Sequence, residues 1–182
     1  FLIKFGMGKE IITSIFSKDI IMAPDGDITR KIYEKSRFGE PNGKKFYYSS
    51  VEALYLLEEG KMDILDGRGK SLNFDSFVKK VKKTDPRLLV RFLVYREMRK
   101  RGYIVKTALK FGADFRVYER GVKPGEDHAK WVLFCVNEKE HSTWYEFSSK
   151  NRVAHSTKKN LLIGVADDEG DVTFYQIAWI RP

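Results

Sequence analysis

Residues 82–89, KKTDPRLL, constrain the fold more than any other stretch of this chain. Aspartate is a good helix N-cap, and proline suits the first helical position, where its missing N–H costs nothing. The segment predicts a helix that is capped by Asp85, opens at Pro86 and runs to Arg101. Leu88, Leu89, Phe92, Tyr95 and Met98 fall on one face, and Gly102 lies just past the end. So sharp a start in mid-chain marks a boundary near Thr84, giving an N-terminal domain over 1–84 and a C-terminal domain over 85–182. Each half lies near the lower end of comfortable core size.

Within 1–84, short apolar runs at 11–16 and 19–23 predict strands, with Pro24-Asp25-Gly26-Asp27 as a tight turn between strands. Residues 46–48 lead into a helix that Ser49 or Ser50 caps, that places Val51, Leu54 and Tyr55 at helical spacing, and that Gly60 ends. A strand at 62–65, a turn at Gly67-Arg68-Gly69 and a second helix started by Asn73 complete this half. In the second half, strands are predicted at 103–105, 114–119, 131–136, 161–166 and 172–180. Between the third and fourth, Thr143 and Glu146 have capping-box spacing, and Phe147, Asn151 and Ala154 share a helical face. The fold class is therefore α/β (α+β): a small mixed α/β domain, then a mixed sheet flanked by helices.

With 42% hydrophobic and 32% charged residues, the chain has the composition of a folded, water-soluble protein. No apolar run is long enough to span a bilayer. The first ten residues are briefly apolar but broken by Gly, Lys and Glu, so a cytoplasmic location is expected. Lys and Arg total 34 against 25 Asp and Glu, a net charge of +9, which favours nucleic acid over membrane as the partner. The single cysteine, Cys135, sits in the run WVLFCV and reads as a core thiol. No HExxH, CxxC pair or dense carboxylate cluster is present, so neither metal nor cofactor is implied.

Three separated motifs then point in one direction. They are RKRGYIVKTALKFGADFRVYERG at 99–121, a polar loop that reaches His128, and RVAHSTKKNLLIGVADDEGD at 152–171. In this order they resemble the catalytic domain of the archaeal tRNA-intron endonucleases, and SSVEALYLLEEGKMDI at 49–64 extends the resemblance more weakly into the first half. The resemblance implies a nuclease-like C-terminal domain with Tyr118 as general base, His128 as general acid and Lys159 as the cation that stabilises the transition state. Lys158 is adjacent, but the spacing from His155 in the family favours Lys159. It further implies that Arg152 and Trp179 sandwich an unpaired RNA base, although the family also uses arginine where this chain has Trp179. The acidic turn Asp167, Asp168, Glu169 and Asp171 is implied to dock into a neighbouring subunit. The expected partners are precursor tRNA carrying a bulge-helix-bulge and further copies of the chain in a homotetramer.

The chemistry suits these residue types. Attack by a ribose 2′-OH on its own 3′ phosphate needs a base for the 2′ proton, an acid for the leaving 5′ oxygen and a cation for the phosphate charge. Histidine is a natural acid near neutrality, and lysine a compact point charge. Tyrosine, with a reference pKa of about 10, needs help from nearby cations such as Lys159, Arg116 or Arg120. Read singly, each residue also has an ordinary role: strand packing for Tyr118, a solvated loop for His128 and a helix-end cation for Lys159. Arg152 reads equally as a surface charge, Trp179 as a core aromatic, and the acidic turn as a hairpin with Gly170 at positive φ. Two rival functions stand beside the first. A metal-dependent restriction-type nuclease would want an acidic residue followed by Glu-x-Lys on the next strand, whereas Asp114 and Glu119 share one segment. A non-catalytic RNA-binding subunit need not carry Tyr, His and Lys together.

Overall fold

A computed structural model describes residues 11–180; the apolar stretch 1–10 lies outside them. The chain divides after Thr84 into two compact units, and both are mixed α/β.

The first unit holds a six-stranded sheet of order β3-β4-β2-β1-β5-β6. Its strands are β1 (Ile12–Ser17), β2 (Ile20–Pro24), β3 (Glu40–Asn42), β4 (Lys45–Tyr48), β5 (Met62–Asp66) and β6 (Ser71–Leu72). Only β1 and β5 run parallel; the other pairs are antiparallel. Helices α1 (Asp27–Ser36), α2 (Ser50–Glu58) and α3 (Phe74–Val81) complete it. Of the two candidate caps for α2, Ser49 is the one used: it closes a full capping box with Glu52, while Asn73 caps α3. The Pro24–Asp27 signal is corrected here. It is not a turn between two strands but the start of α1, with Gly26 as the N-cap and Asp27 in the first turn, where the helix dipole favours an acid.

The second unit is a five-stranded sheet of order β11-β10-β9-β8-β7 between two helices. Its elements are α4 (Leu88–Lys100), β7 (Ile104–Thr107), β8 (Phe115–Tyr118), β9 (Trp131–Asn137), α5 (Trp144–Ser156), β10 (Asn160–Ala166) and β11 (Val172–Ile177). The β9–α5–β10 crossover supplies the one parallel pair. Alternation along β9 sends Leu133 and Cys135 to the face opposite Val132 and Phe134. α4 covers one face, with Tyr95 5.5 Å from Phe115. The other face packs under α5, where Val132, Phe134, Leu161 and Ala154 form the buried cluster. α4 rides so close to β10 that a Cβ at Gly164 would lie 2.6 Å from the Val94 side chain.

Two expectations are corrected. α4 opens at Leu88 rather than Pro86, because the Asp85 carboxylate accepts the Arg87 N–H two residues on (3.2 Å) and so makes a turn before the helix begins. The last strand ends at Ile177, which releases Trp179 from the sheet. Cys135 is fully buried, and burial followed by the neighbouring Asp114 carboxylate pushes its thiol well above the ordinary range. Asp114 itself is held by Arg87 and Arg91 and accepts the Cys135 N–H at 2.8 Å. Among the described residues no helix is long and apolar enough to cross a membrane.

Candidate active site

α5 lies over β9 and β10, so the same face of β8 stays open at its side. Arg116 and Tyr118, two apart on β8, both line the cleft that results. Tyr118 is 4% exposed, so its ring is fixed by packing, and it still lines the cleft. After Tyr118 the chain enters a polar loop that ties itself down. Glu126 accepts the Lys123 N–H (3.0 Å), the Asp127 carboxylate accepts the His128 N–H (2.6 Å), and Ala129 is buried. His128 stands exposed on this loop.

Lys159 arrives from the third direction, and the way α5 ends explains its position. Lys158 takes the left-handed conformation (φ 54°) at the position that glycine usually fills. Its N–H bonds to the His155 carbonyl (3.0 Å), and the Lys159 N–H reaches back to Ala154 (2.9 Å). The reversal leaves Lys158 exposed and carries Lys159 into the cleft. There its Nζ donates to the Thr157 carbonyl at 3.0 Å and lies 6.0 Å from the centre of the Phe111 ring. Tyr118, His128 and Lys159, spread over 42 positions of sequence, thus line one open cleft of about 420 Å³ together with Arg116, Phe111 and Asp127. Of the cations considered beside Tyr118, Arg116 lies 5.9 Å from its ring centre, whereas Arg120 sits over Tyr103 at 4.9 Å.

Arg152 and Trp179 also come together. With His155 they border a second hollow of about 380 Å³, and His155 meets the Trp179 ring edge-on at 4.7 Å. The Arg152 guanidinium also lies 5.7 Å from the Tyr145 ring centre, two turns earlier on the same face of α5. His155 was not singled out for its own chemistry from the sequence; its place three residues after Arg152 on a helix is the signal that finds it.

The family model described as tRNA intron endonuclease, catalytic C-terminal domain, matches residues 88–174, and that described as tRNA intron endonuclease, N-terminal domain, matches residues 12–78. A tRNA-splicing endonuclease of Thermococcus onnurineus is 38% identical over 173 residues, covering 95% of this chain and 99% of the relative. One from Nanoarchaeum equitans is 45% identical over 72% of this chain and 88% of the relative, and one from Methanothermobacter thermautotrophicus 37% identical over 90% and 95%. The chain belongs to the tRNA-intron endonuclease family.

In this chain the acidic turn divides its carboxylates between two tasks. Asp167 folds the turn, accepting the N–H groups of Glu169 (3.0 Å) and Asp171 (2.9 Å) around Gly170 at φ +91°. Asp168 pairs with Lys139, while Glu169 and Asp171 point into solvent. Elsewhere, the Asp114 carboxylate is buried against Arg87 and Arg91, and the exposed Glu119 pairs with Lys130. Among the described residues no three His, Cys, Asp or Glu side chains gather as metal ligands would.

Proposed function

We propose that this endonuclease excises introns from precursor tRNA at bulge-helix-bulge junctions by metal-independent transesterification. The observation that carries the reading is the convergence of Tyr118, His128 and Lys159, from a strand end, a loop and a helix end, on one cleft. In this reading Tyr118 accepts the proton of the 2′-OH as that oxygen bonds to phosphorus. The bond from phosphorus to the 5′ oxygen breaks, and His128 gives that oxygen its proton. The products are a 2′,3′-cyclic phosphate and a 5′-OH. Lys159 faces the charge that grows on the non-bridging oxygens, already fixed in place by the Thr157 carbonyl and so with little reorganisation to undergo.

Recognition follows RNA shape, because an A-form major groove is too narrow for side chains to read. The Arg152, His155 and Trp179 hollow receives an unpaired bulge base by stacking. Two cuts per intron call for two competent sites in a two-fold assembly, and we assign the chain to a homotetramer in the cytoplasm. Glu169 and Asp171 are the acidic groups available to a neighbouring copy.

The deciding experiment is cleavage of an intron-containing precursor tRNA in excess EDTA by the purified chain and by His128→Ala. Two cuts with cyclic-phosphate ends, lost in the variant, are expected. A folded wild-type chain silent in EDTA and active with magnesium would overturn the mechanism.

A further inference from the structure

A guanidinium carries five N–H donors in a fixed fork, and proteins rarely leave one half-buried without an acceptor. Several arginines of this chain obey the rule. Arg30 pairs with Asp25, Arg91 with Asp85 and Asp114, and Arg101 with Glu97, while Arg87 reaches both Asp114 and the Cys135 carbonyl. Arg116 does not. Its Nε is buried without a hydrogen-bond partner, as are those of Arg37 and Arg91, but unlike Arg91 it has no carboxylate beside it among the described residues, and its contact there is the Tyr118 ring, 5.9 Å from the guanidinium carbon. Across the sheet its register partners are Lys106 and Val132, a like charge and an apolar group. The two acids that line the same cleft are engaged elsewhere: Glu126 with the Lys123 N–H and Asp127 with the His128 N–H.

Withdrawing part of such a group from water without an acceptor is unfavourable, and Arg116 lines an open cleft where an entering oxyanion meets its cation. We propose that Arg116 is a second phosphate-holding cation of the cleft, binding a non-bridging oxygen of the scissile phosphodiester alongside Lys159. The inference rests on the reaction proposed above. It adds a division of labour: Lys159 offers a point charge, and Arg116 a planar fork that fixes the orientation of the phosphate. Because Arg116 and Tyr118 share one strand face two residues apart, the phosphate and the base that deprotonates its neighbouring hydroxyl are registered by the same rigid strand.

The test uses the full chain, with Arg116→Met, which keeps much of the stem, and Arg116→Lys, which keeps a charge but not the fork. Folding is checked by circular dichroism and assembly by sedimentation. Single-turnover cleavage is measured in EDTA, and binding is measured on a bulge-helix-bulge RNA with 2′-deoxyribose at both cut sites, over a range of salt. The expected result is a cleavage rate about 100-fold lower for Met, with Lys in between. The salt dependence of binding should become shallower by about 0.7 in the log–log slope, the signature of one lost phosphate contact on single-stranded RNA. A folded Met variant that cuts at the wild-type rate overturns the proposal. So does a slow variant with an unchanged slope, which would make Arg116 a packing partner of Tyr118, or a shallower slope with normal cutting, which would place it on some other phosphate. If the wild type itself does not cut in EDTA, the reaction reading fails, and the slope alone decides whether Arg116 holds a phosphate.

Discussion

The Nζ of Lys159 donates to the carbonyl oxygen of Thr157, the residue that caps α5, at 3.0 Å. A helix-end cation and a cleft cation are thus one and the same side chain here. The carbonyl holds the ammonium at the cleft before any substrate arrives. Lys159→Ala is expected to lower single-turnover cleavage by about 10²- to 10³-fold. The far-ultraviolet circular dichroism should be unchanged, and Lys159→Arg should recover little, since a fork does not reproduce the anchored point charge.

Lys158 provides the complementary control. It holds a left-handed conformation that costs an L-residue about 1–2 kcal/mol, and its side chain is exposed. Lys158→Gly should raise stability by about 1 kcal/mol in chemical denaturation and leave the cleavage rate unaltered. A large loss of rate would reassign the catalytic cation to Lys158.

Trp179 should matter to binding more than to chemistry. Removing one stacking wall by Trp179→Ala is expected to weaken binding of the uncleavable RNA by about 1–3 kcal/mol, with Trp179→Phe close to wild type. Indole fluorescence quenched by the bulged RNA in the wild type, with the quenching lost in Trp179→Phe while Trp131 and Trp144 remain, would locate the unpaired base at Trp179.

Asp114 tests the structural reading of an acid that a metal nuclease would have used. The residue is 7% exposed, and its carboxylate answers Arg87, Arg91 and the Cys135 N–H. Asp114→Ala takes one acceptor from each of two guanidinium groups, leaving Arg91 with Asp85 and Arg87 with the Cys135 carbonyl, and strands the buried Cys135 N–H; it should destabilise the second unit by about 3–5 kcal/mol. Urea unfolding would measure it. A variant that stays as stable as wild type but loses activity would point to a role in the reaction.

Cys135 should resist thiol reagents in the folded protein and react at once in denaturant. Its thiol is raised in the folded state, chiefly by burial and next by Asp114. The sign follows directly: folding favours the protonated form. This contribution to stability is complete below the unfolded thiol's pKa of about 8.5 and is lost progressively as pH rises from there toward the raised folded value. Stability measured between pH 8 and 10 should fall in wild type and fall less in Cys135→Ala.

Where the sequence carries local chemistry, it foretells the structure well. Thr143 and Glu146 announce α5 by their spacing, and the box they predict is formed in full. Asp85 announces a boundary, yet its carboxylate serves a turn, because the same side chain caps a helix or an Asx-type turn depending on which N–H lies nearest. Pro24-Asp25-Gly26-Asp27 failed for a similar reason: glycine followed by aspartate is a turn signal and a helix-start signal at once. Arg116 was visible only as one of several nearby charges. Its significance lies in an acceptor that is missing, and a sequence does not display absences of contact. The convergence on the cleft was legible only as a resemblance, since residues 118, 128 and 159 become neighbours through a crossover that no local pattern specifies.

α5 has a consequence that reaches beyond its packing. The hollow that contains Arg152 and the turn that delivers Lys159 stand at one end of the same rigid rod, seven residues apart. Under the proposed function the rod is a measuring gauge: once an unpaired base seats beside Arg152, the distance to the reactive phosphate is set by the protein. An RNA whose bulge is displaced by one nucleotide should then be cut one nucleotide away, whatever its bases spell.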